Sequence, residues 1–193
     1  MKSIFRLCLE SKLKEVFVGH FEVVVNLGCG VLDYRELIDY DQFVTVDLNE
    51  KYNPSFVAKA SETGLPSNSC DLVICTQVLE HAREPKEIVS ETLRLLKPNG
   101  LCVFSVPFFE VFHGEQNCKD YWRFTHQGLE YLFREFKQIK IEKVGCSSQT
   151  LFNFLNKIRL LKVLNPIVFK FGFGKRMPMG FVVTARKKEQ LNL

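Results

Sequence analysis

Two glycines and an acid stand where a nucleoside could be held. Gly28 and Gly30 flank Cys29 directly after the apolar run 21–27, and Asp47 closes a second apolar run further on. Glycine lets the backbone turn sharply and come close to a ligand. A carboxylate at the end of the next strand can accept hydrogen bonds from both hydroxyls of a ribose. A dinucleotide would need a third glycine and a helix N-terminus under its pyrophosphate. Position 33 is instead Asp33, which would repel a pyrophosphate. The pattern favours a nucleoside without phosphates and disfavours a dinucleotide oxidoreductase.

A second group of residues could move protons. His81 follows Leu79-Glu80 just after a strong apolar run, and His113, Asp120 and Arg123 lie after a later one. Histidine is the natural base at neutral pH. Each has a plainer reading beside it. His81 could cap or orient the loop before the next helix. Residues 120–123 could form a structural lid in which Arg123 pairs with an acid and Trp122 packs.

The elements that must position these residues alternate between helix and strand. Residues 3–18 read as an amphipathic helix stopped by Gly19. Strands are expected at 21–27, 42–48, 55–58, 70–76, 101–106, 139–144 and 180–186, with a short helical piece at 34–40. Residues 85–97 form the best helix, with Pro85 in its first turn and a stripe of Ile88, Val89, Leu93 and Leu96. Thr125 should N-cap a helix carrying Leu129, Leu132, Phe133 and Phe136. Such alternation argues for an α/β fold, a parallel sheet with helices on both faces. With no internal repeat and no linker, the chain reads as a single domain over 1–193.

Composition narrows the class. The chain has 193 residues, 46% hydrophobic and 25% charged, with 18 Phe, so it can build a sizeable core and is not disordered. Seven Cys, an odd number with no C-x-x-C pair, read as small buried hydrophobes in a reducing compartment. No metal site is expected. The absence of a secretory signal or a run of about 20 apolar residues points to a cytoplasmic protein. A net charge of +4 is too weak to argue for nucleic acid without a localised patch.

Taken together, VVVNLGCG, VTVDL and LPSNSCDLVICTQVLEHAREPKEIVSETLRLLKPNGLCVFSVPF resemble a class I S-adenosylmethionine-dependent methyltransferase of the small-molecule kind. The later segment from His113 through Asp120 to Leu129 resembles a subgroup of that family, and the likeness spans about residues 21 to 146. It implies a three-layer Rossmann-like sandwich: a seven-stranded, mostly parallel sheet whose last strand is antiparallel. S-adenosylmethionine would lie over the carboxyl ends of strands one, two and four. Gly28 and Gly30 would pass under its methionine portion, with Asn26 and Cys29 beside them. Asp47 would hold the ribose next to Leu48, Ser61 would stand near the adenine, and Thr76 and Gln77 would face the sulfonium. The family usually carries an acid at position 26, a glycine at 32 and an acid at 61, where this chain has Asn26, Leu32 and Ser61. A fold-only binding module that has shed its acidic cofactor contacts is the alternative.

Methyl transfer needs its acceptor held in line about 3 Å from the methyl carbon, and a hydroxyl acceptor must also lose a proton. The reading places His113, Asp120 and His81 as catalytic candidates, and Tyr121, Trp122 and Arg123 as the acceptor wall. The acceptor would be a small molecule or a sugar- or lipid-linked one, methylated at oxygen, and not nucleic acid. Residues 147–178 hold six basic residues, no acid and five Phe. They read as an insertion: a flap over the pocket, or a peripheral contact with an anionic membrane or lipid-linked substrate.

Overall fold

The computed structural model describes residues 3–32, 34–114, 118–155, 167, 170, 174 and 176–189. Four α-helices and seven strands are defined there: α1 Ile4–Val16, β1 His20–Leu27, β2 Asp39–Asp47, β3 Phe56–Val57, β4 Cys70–Thr76, α2 Pro85–Leu95, β5 Leu96–Pro107, α3 His126–Leu132, β6 Lys137–Val144, α4 Ser147–Leu155 and β7 Gly180–Arg186. The strands form one sheet in the order β3-β2-β1-β4-β5-β7-β6. β3, β2, β1, β4 and β5 pair in parallel, and β7 runs antiparallel to both its neighbours. The expected mostly parallel seven-stranded sheet is therefore observed.

Alternation along each strand builds two cores. Val25, Leu27, Val73, Cys75, Phe104 and Val183 face α2 and α3, while Val24, Leu72, Ile74, Val103 and Val182 face α1. This is the pattern of strands buried on both faces. Leu129 and Phe133 of the α3 region and Phe104 of β5 have no exposure, and the two phenyl rings meet edge to face at 4.9 Å. Burying such side chains contributes roughly 1.5–3 kcal/mol each. Cys8, Cys29, Cys70, Cys75 and Cys102 are buried as free thiols, as their apolar settings suggested.

Three boundaries differ from the sequence reading, each for a local reason. α2 ends at Leu95, before reaching Lys97, where Pro98 disfavours helical backbone. Leu96 is extended, at φ −65° and ψ 138°. It therefore starts β5 rather than joining the helix stripe, which is completed by Thr92 and Leu95. Residues 97–100 then form a bulge, with Asn99 at φ +65°, before β5 resumes its register with β4 at Leu101. The short helical piece expected at 34–40 shrinks to a 3-10 turn at Arg35–Leu37, and β2 already begins at Asp39.

That contraction matters for function. Only residues 28–38 connect β1 to β2, and a second 3-10 turn, Glu50–Tyr52, follows β2. Turns thus follow β1 and β2 where helices follow β4 and β5, and Tyr34 and Ile38 of the first pack into the α1-side core. Those helices lie on the opposite face.

Candidate functional site

The carboxyl ends of β1, β2, β4 and β5 open on one edge of the sheet, where the strand order reverses between β1 and β4. This is where open α/β sheets bind ligands. Gly28 leaves β1 at φ +65°, and a Cβ there would lie 2.4 Å from Val78 Cγ2. Both the left-handed backbone and the contact with the chain beyond β4 thus require glycine. The Gly28 and Cys29 amides donate to the Val46 carbonyl at 2.8 and 3.2 Å, which locks the loop onto β2. Gly30, at φ +50°, has open space where its side chain would be.

Asp47 ties two loops together. Its Oδ2 accepts from the Gly30 amide and its Oδ1 from the Asn49 amide, each at 2.9 Å. A carboxylate oxygen can accept more than one bond, so both oxygens keep capacity for ribose hydroxyls. Leu48 beside it is 67% exposed and offers an apolar surface at the strand end. Leu32, where the family usually has glycine, closes a turn onto the Cys29 carbonyl and packs into the α1-side core. Asp33 lies outside the described residues. The case against a dinucleotide now rests on the 3-10 turn after the glycine loop, which supplies no long helix for a pyrophosphate.

Asn26 is buried, and its Nδ2 finds no acceptor among the described residues. It lines a cavity of about 340 Å³ with Cys29, Gly30, Arg35, Thr45 and Lys51. An orphaned donor in a cavity walled partly by cations suits a ligand carrying a carboxylate. Cys29 keeps its proton: burial, then the Asp47 charge, push the thiol up.

At the end of β4 the side chains are already engaged. The Thr76 hydroxyl bonds Tyr34 Oη at 2.8 Å, and Gln77 Nε2 donates to Ser105 Oγ at 3.1 Å while its backbone sits at φ +56°. Both side chains are thus already hydrogen-bonded within the protein. Ser61 lies in a groove with Glu84, Lys86 and Glu87. Its segment is fixed to α2 by Glu91, which accepts from the Thr63 amide and hydroxyl and from Arg94. Burial alone would raise the Glu91 carboxyl, but the Arg94 and Thr63 bonds outweigh it and hold it at about 2.

On the other side of the crevice the sequence-predicted groups come together. A 3-10 turn, Leu79–His81, follows β4 and meets the loop after β5, with the Tyr121 and Trp122 amides donating to the Glu80 carbonyl. Trp122 Nε1 donates to the Ala82 carbonyl at 2.9 Å. The His81 and His113 rings stand edge to face, centroids 5.0 Å apart. His81 Nδ1 lies 2.6 Å from the Lys119 carbonyl and His113 Nδ1 lies 3.0 Å from that of Val111. A carbonyl can only accept, so each Nδ1 carries a proton, which in a neutral ring leaves the lone pair on Nε2.

Asp120 and Arg123 serve as the strut of this loop. Arg123 Nη2 donates to Asp120 Oδ2 at 2.7 Å, Nη1 reaches the other oxygen, and the guanidinium also bonds the Glu110 and Val111 carbonyls. Asp120 further accepts from the His113 amide at 3.1 Å. The Arg123 bonds hold its carboxyl well below the usual carboxylate range, so it is a poor proton acceptor at neutral pH. Arg123 pairs with an acid as the lid reading of 120–123 expects, whereas Tyr121 (51% exposed) and Trp122 (43%) remain exposed rather than packed. Phe109 and Phe112 of the same loop are exposed too, extending that aromatic rim.

The sequence reading passed over Glu80. Its side chain is fully buried, neither oxygen accepts a hydrogen bond among the described residues, and Oε1 lies 4.0 Å from His81 Nε2. Burial pushes its carboxyl up to about 8. An acid inside an apolar stretch was the available signal, but a 3-10 turn has no periodicity that reveals which way a side chain points.

Residues 25–104 match the family described as "Methyltransferase domain". A Mycolicibacterium smegmatis protein, described as a probable S-adenosylmethionine-dependent methyltransferase, is 32% identical over 96 residues. That match covers 44% of this chain and 37% of the relative, so the chain spans little over a third of that protein's length. A ubiquinone biosynthesis O-methyltransferase of Yersinia pestis is 25% identical over 197 residues, covering 89% of this chain and 78% of the relative. A SAM-dependent methyltransferase from Archaeoglobus fulgidus has the same fold, with a TM-score of 0.63, 19% identity and 94% of each chain covered.

Proposed function

We propose, for a chain whose residues 25–104 belong to the class I S-adenosylmethionine-dependent methyltransferase domains, that it transfers the methyl group of S-adenosylmethionine to a hydroxyl oxygen. The acceptor is a small molecule or a sugar- or lipid-linked one. The observation that carries this reading is the pairing, across one sheet edge, of the Gly28–Asp47 loop with the Glu80–His81–His113 cluster. Bound there, S-adenosylmethionine supplies an electrophilic methyl carbon on a sulfonium.

The residues of the chain then have separable tasks. Asp47 takes the ribose hydroxyls, the Gly30 region admits the methionine portion, and Arg35 and Lys51 favour its carboxylate. The aromatic rim of Tyr121, Trp122 and Phe112 excludes water and holds an apolar part of the acceptor. Proximity and alignment supply most of the rate in such a displacement. The acceptor hydroxyl must shed its proton as the new bond forms, and His81, His113 and Glu80 are the groups at hand to promote that. Similarity to a ubiquinone biosynthesis O-methyltransferase supports oxygen as the target atom.

Two contacts lie outside this scheme. No helix among the described residues is long and apolar enough to cross a membrane. Most of the basic insertion at 147–178 lies outside the described residues, and with it the expected flap or membrane contact.

Calorimetric titration with S-adenosylmethionine and its demethylated product tests the reading. Micromolar binding that falls at least tenfold in Asp47→Ala is expected, followed by methylation within a panel of hydroxylated acceptors. No binding at millimolar ligand would sink it. Binding with no acceptor methylated would favour the binding-module alternative.

A further inference from the structure

We infer that Glu80, His81 and His113 form a site for one borderline divalent transition-metal ion, of the Zn²⁺ or Mn²⁺ class, on the acceptor side of the crevice. The sequence reading expected no metal, and nothing in the family match assigns one. Ligand atoms from the three side chains all lie within 4.8 Å of one another. Around a tetrahedral zinc, neighbouring ligand atoms are roughly 3.4 Å apart. Drawing the three groups together by about an ångström would therefore enclose an ion.

Three independent features point to an ion rather than a chance cluster. First, Glu80 is fully buried with both carboxylate oxygens unpartnered among the described residues. A buried polar group without a partner calls for an explanation, an unplaced ion being one. Second, both histidines have Nδ1–H held by a backbone carbonyl, as metal-ligating histidines do, which in a neutral ring leaves Nε2 as the donor to an ion. Third, the loop carrying His113 is braced from behind, because Asp120 accepts from its amide while Arg123 clamps Asp120. Such outer bracing fixes ligand orientation.

The donor set selects the metal. Two imidazoles and one carboxylate suit zinc, manganese, iron or cobalt, whereas Mg²⁺ and Ca²⁺ favour all-oxygen sites. Three protein ligands leave coordination positions open, as in catalytic rather than structural sites. In the reaction proposed above, the acceptor hydroxyl would occupy one of them. Coordination lowers the pKa of a bound hydroxyl, so the ion would release the proton to solvent without direct uptake by an imidazole. No redox change is involved. This catalytic role rests on the proposed function, whereas the binding site itself does not.

The test uses Co²⁺ as a spectroscopic probe on chelator-treated full-length protein, with neither S-adenosylmethionine nor acceptor present. One equivalent of Co²⁺ should bind at micromolar concentration with visible d–d absorption, and Zn²⁺ should displace it while Mg²⁺ does not. His113→Ala, on an exposed loop, and Glu80→Gln should each weaken binding by about a hundredfold or more. His126→Ala and Cys118→Ser should leave it unchanged. Calorimetry of His113→Ala with S-adenosylmethionine checks that the fold and cofactor site survive. Absent Co²⁺ binding below millimolar concentration overturns the site, as does binding that persists in His113→Ala. Metal binding without any methylated acceptor would overturn the proposed function alone.

Discussion

At the β1–β2 end of the crevice the backbone does the shaping, whereas at the β4–β5 end titratable side chains do. The first end uses two glycines at positive φ, amides aimed at Val46 and Asp47, and 3-10 turns in place of helices. The second uses Arg123 on Asp120, two histidines edge to face and a buried unpartnered glutamate. The difference follows from the tasks. A cofactor end can be a rigid cradle, because its ligand never changes. Under the proposed function, the other end would have to promote proton loss from a hydroxyl acceptor, a task for titratable side chains.

The sharpest way to break this contrast is Gly28→Ala. The new Cβ would need left-handed backbone and would meet Val78 Cγ2 at 2.4 Å. Strain and overpacking together should cost about 3 kcal/mol, or roughly 6–12 °C in melting temperature at this chain length. Adding Val78→Ala should recover the packing share and leave the backbone share. Full recovery in the double variant would show that packing, not φ, dictates this glycine.

At the opposite end, Arg123→Ala should cost on the order of 2 kcal/mol, since it leaves Asp120 shielded without its cation. The pH dependence has a definite sign. Asp120 is depressed in the folded protein, so its contribution is present above its unfolded value and is lost as pH falls through the folded one. The stability gap between wild type and Arg123→Ala should therefore be full at pH 7 and narrow only below the ordinary carboxylate range. A gap that is flat down to low pH would mean that packing by the guanidinium, rather than charge, supports the loop.

Glu91→Gln asks whether the Ser61 segment belongs with the backbone-built end or the charge-built one. Glu91 is held at about 2 by Arg94 and Thr63 despite its burial, so its contribution is present above 4.5 and lost as pH falls toward 2. Acid unfolding of the wild type should steepen in that window, and the variant should lack the step, at a cost of about 1.5 kcal/mol near neutrality. Weakened S-adenosylmethionine binding in the same variant would place the segment in the cofactor cradle.

The two ends were unequally legible in the sequence. The cradle is written in short local strings: an apolar strand, Gly28 and Gly30, then Asp47 closing the next strand. The sheet was legible for the same reason, since runs such as 70–76 and 180–186 match their strands residue for residue. Glu80 was not legible, because its burial depends on a 3-10 turn meeting a loop some 40 residues later. Nor was the loss of a helix after β1. Ile38 faces the core as a helix there would require, yet 11 residues between strands leave room only for one turn. The bulge at 97–100 shows the same limit: proline and glycine announced a break, but not that β5 would begin before it.

The smallest effect should come from Tyr34→Phe, which tests whether the ends are independent. Tyr34 sits on the β1–β2 side, fully buried, and its hydroxyl bonds Thr76 at the tip of β4 at 2.8 Å. It is thus a direct polar link between the two ends. Removing the hydroxyl leaves Thr76 short of one partner and keeps the ring, so the cost should be about 1 kcal/mol, or roughly 2–4 °C. If each end is shaped by its own means, S-adenosylmethionine affinity should change by less than about threefold. A tenfold loss of affinity with little loss of stability would mean that this bond sets the spacing between the glycine loop and the β4 tip. The cradle would then be positioned from the acceptor end rather than by its own backbone.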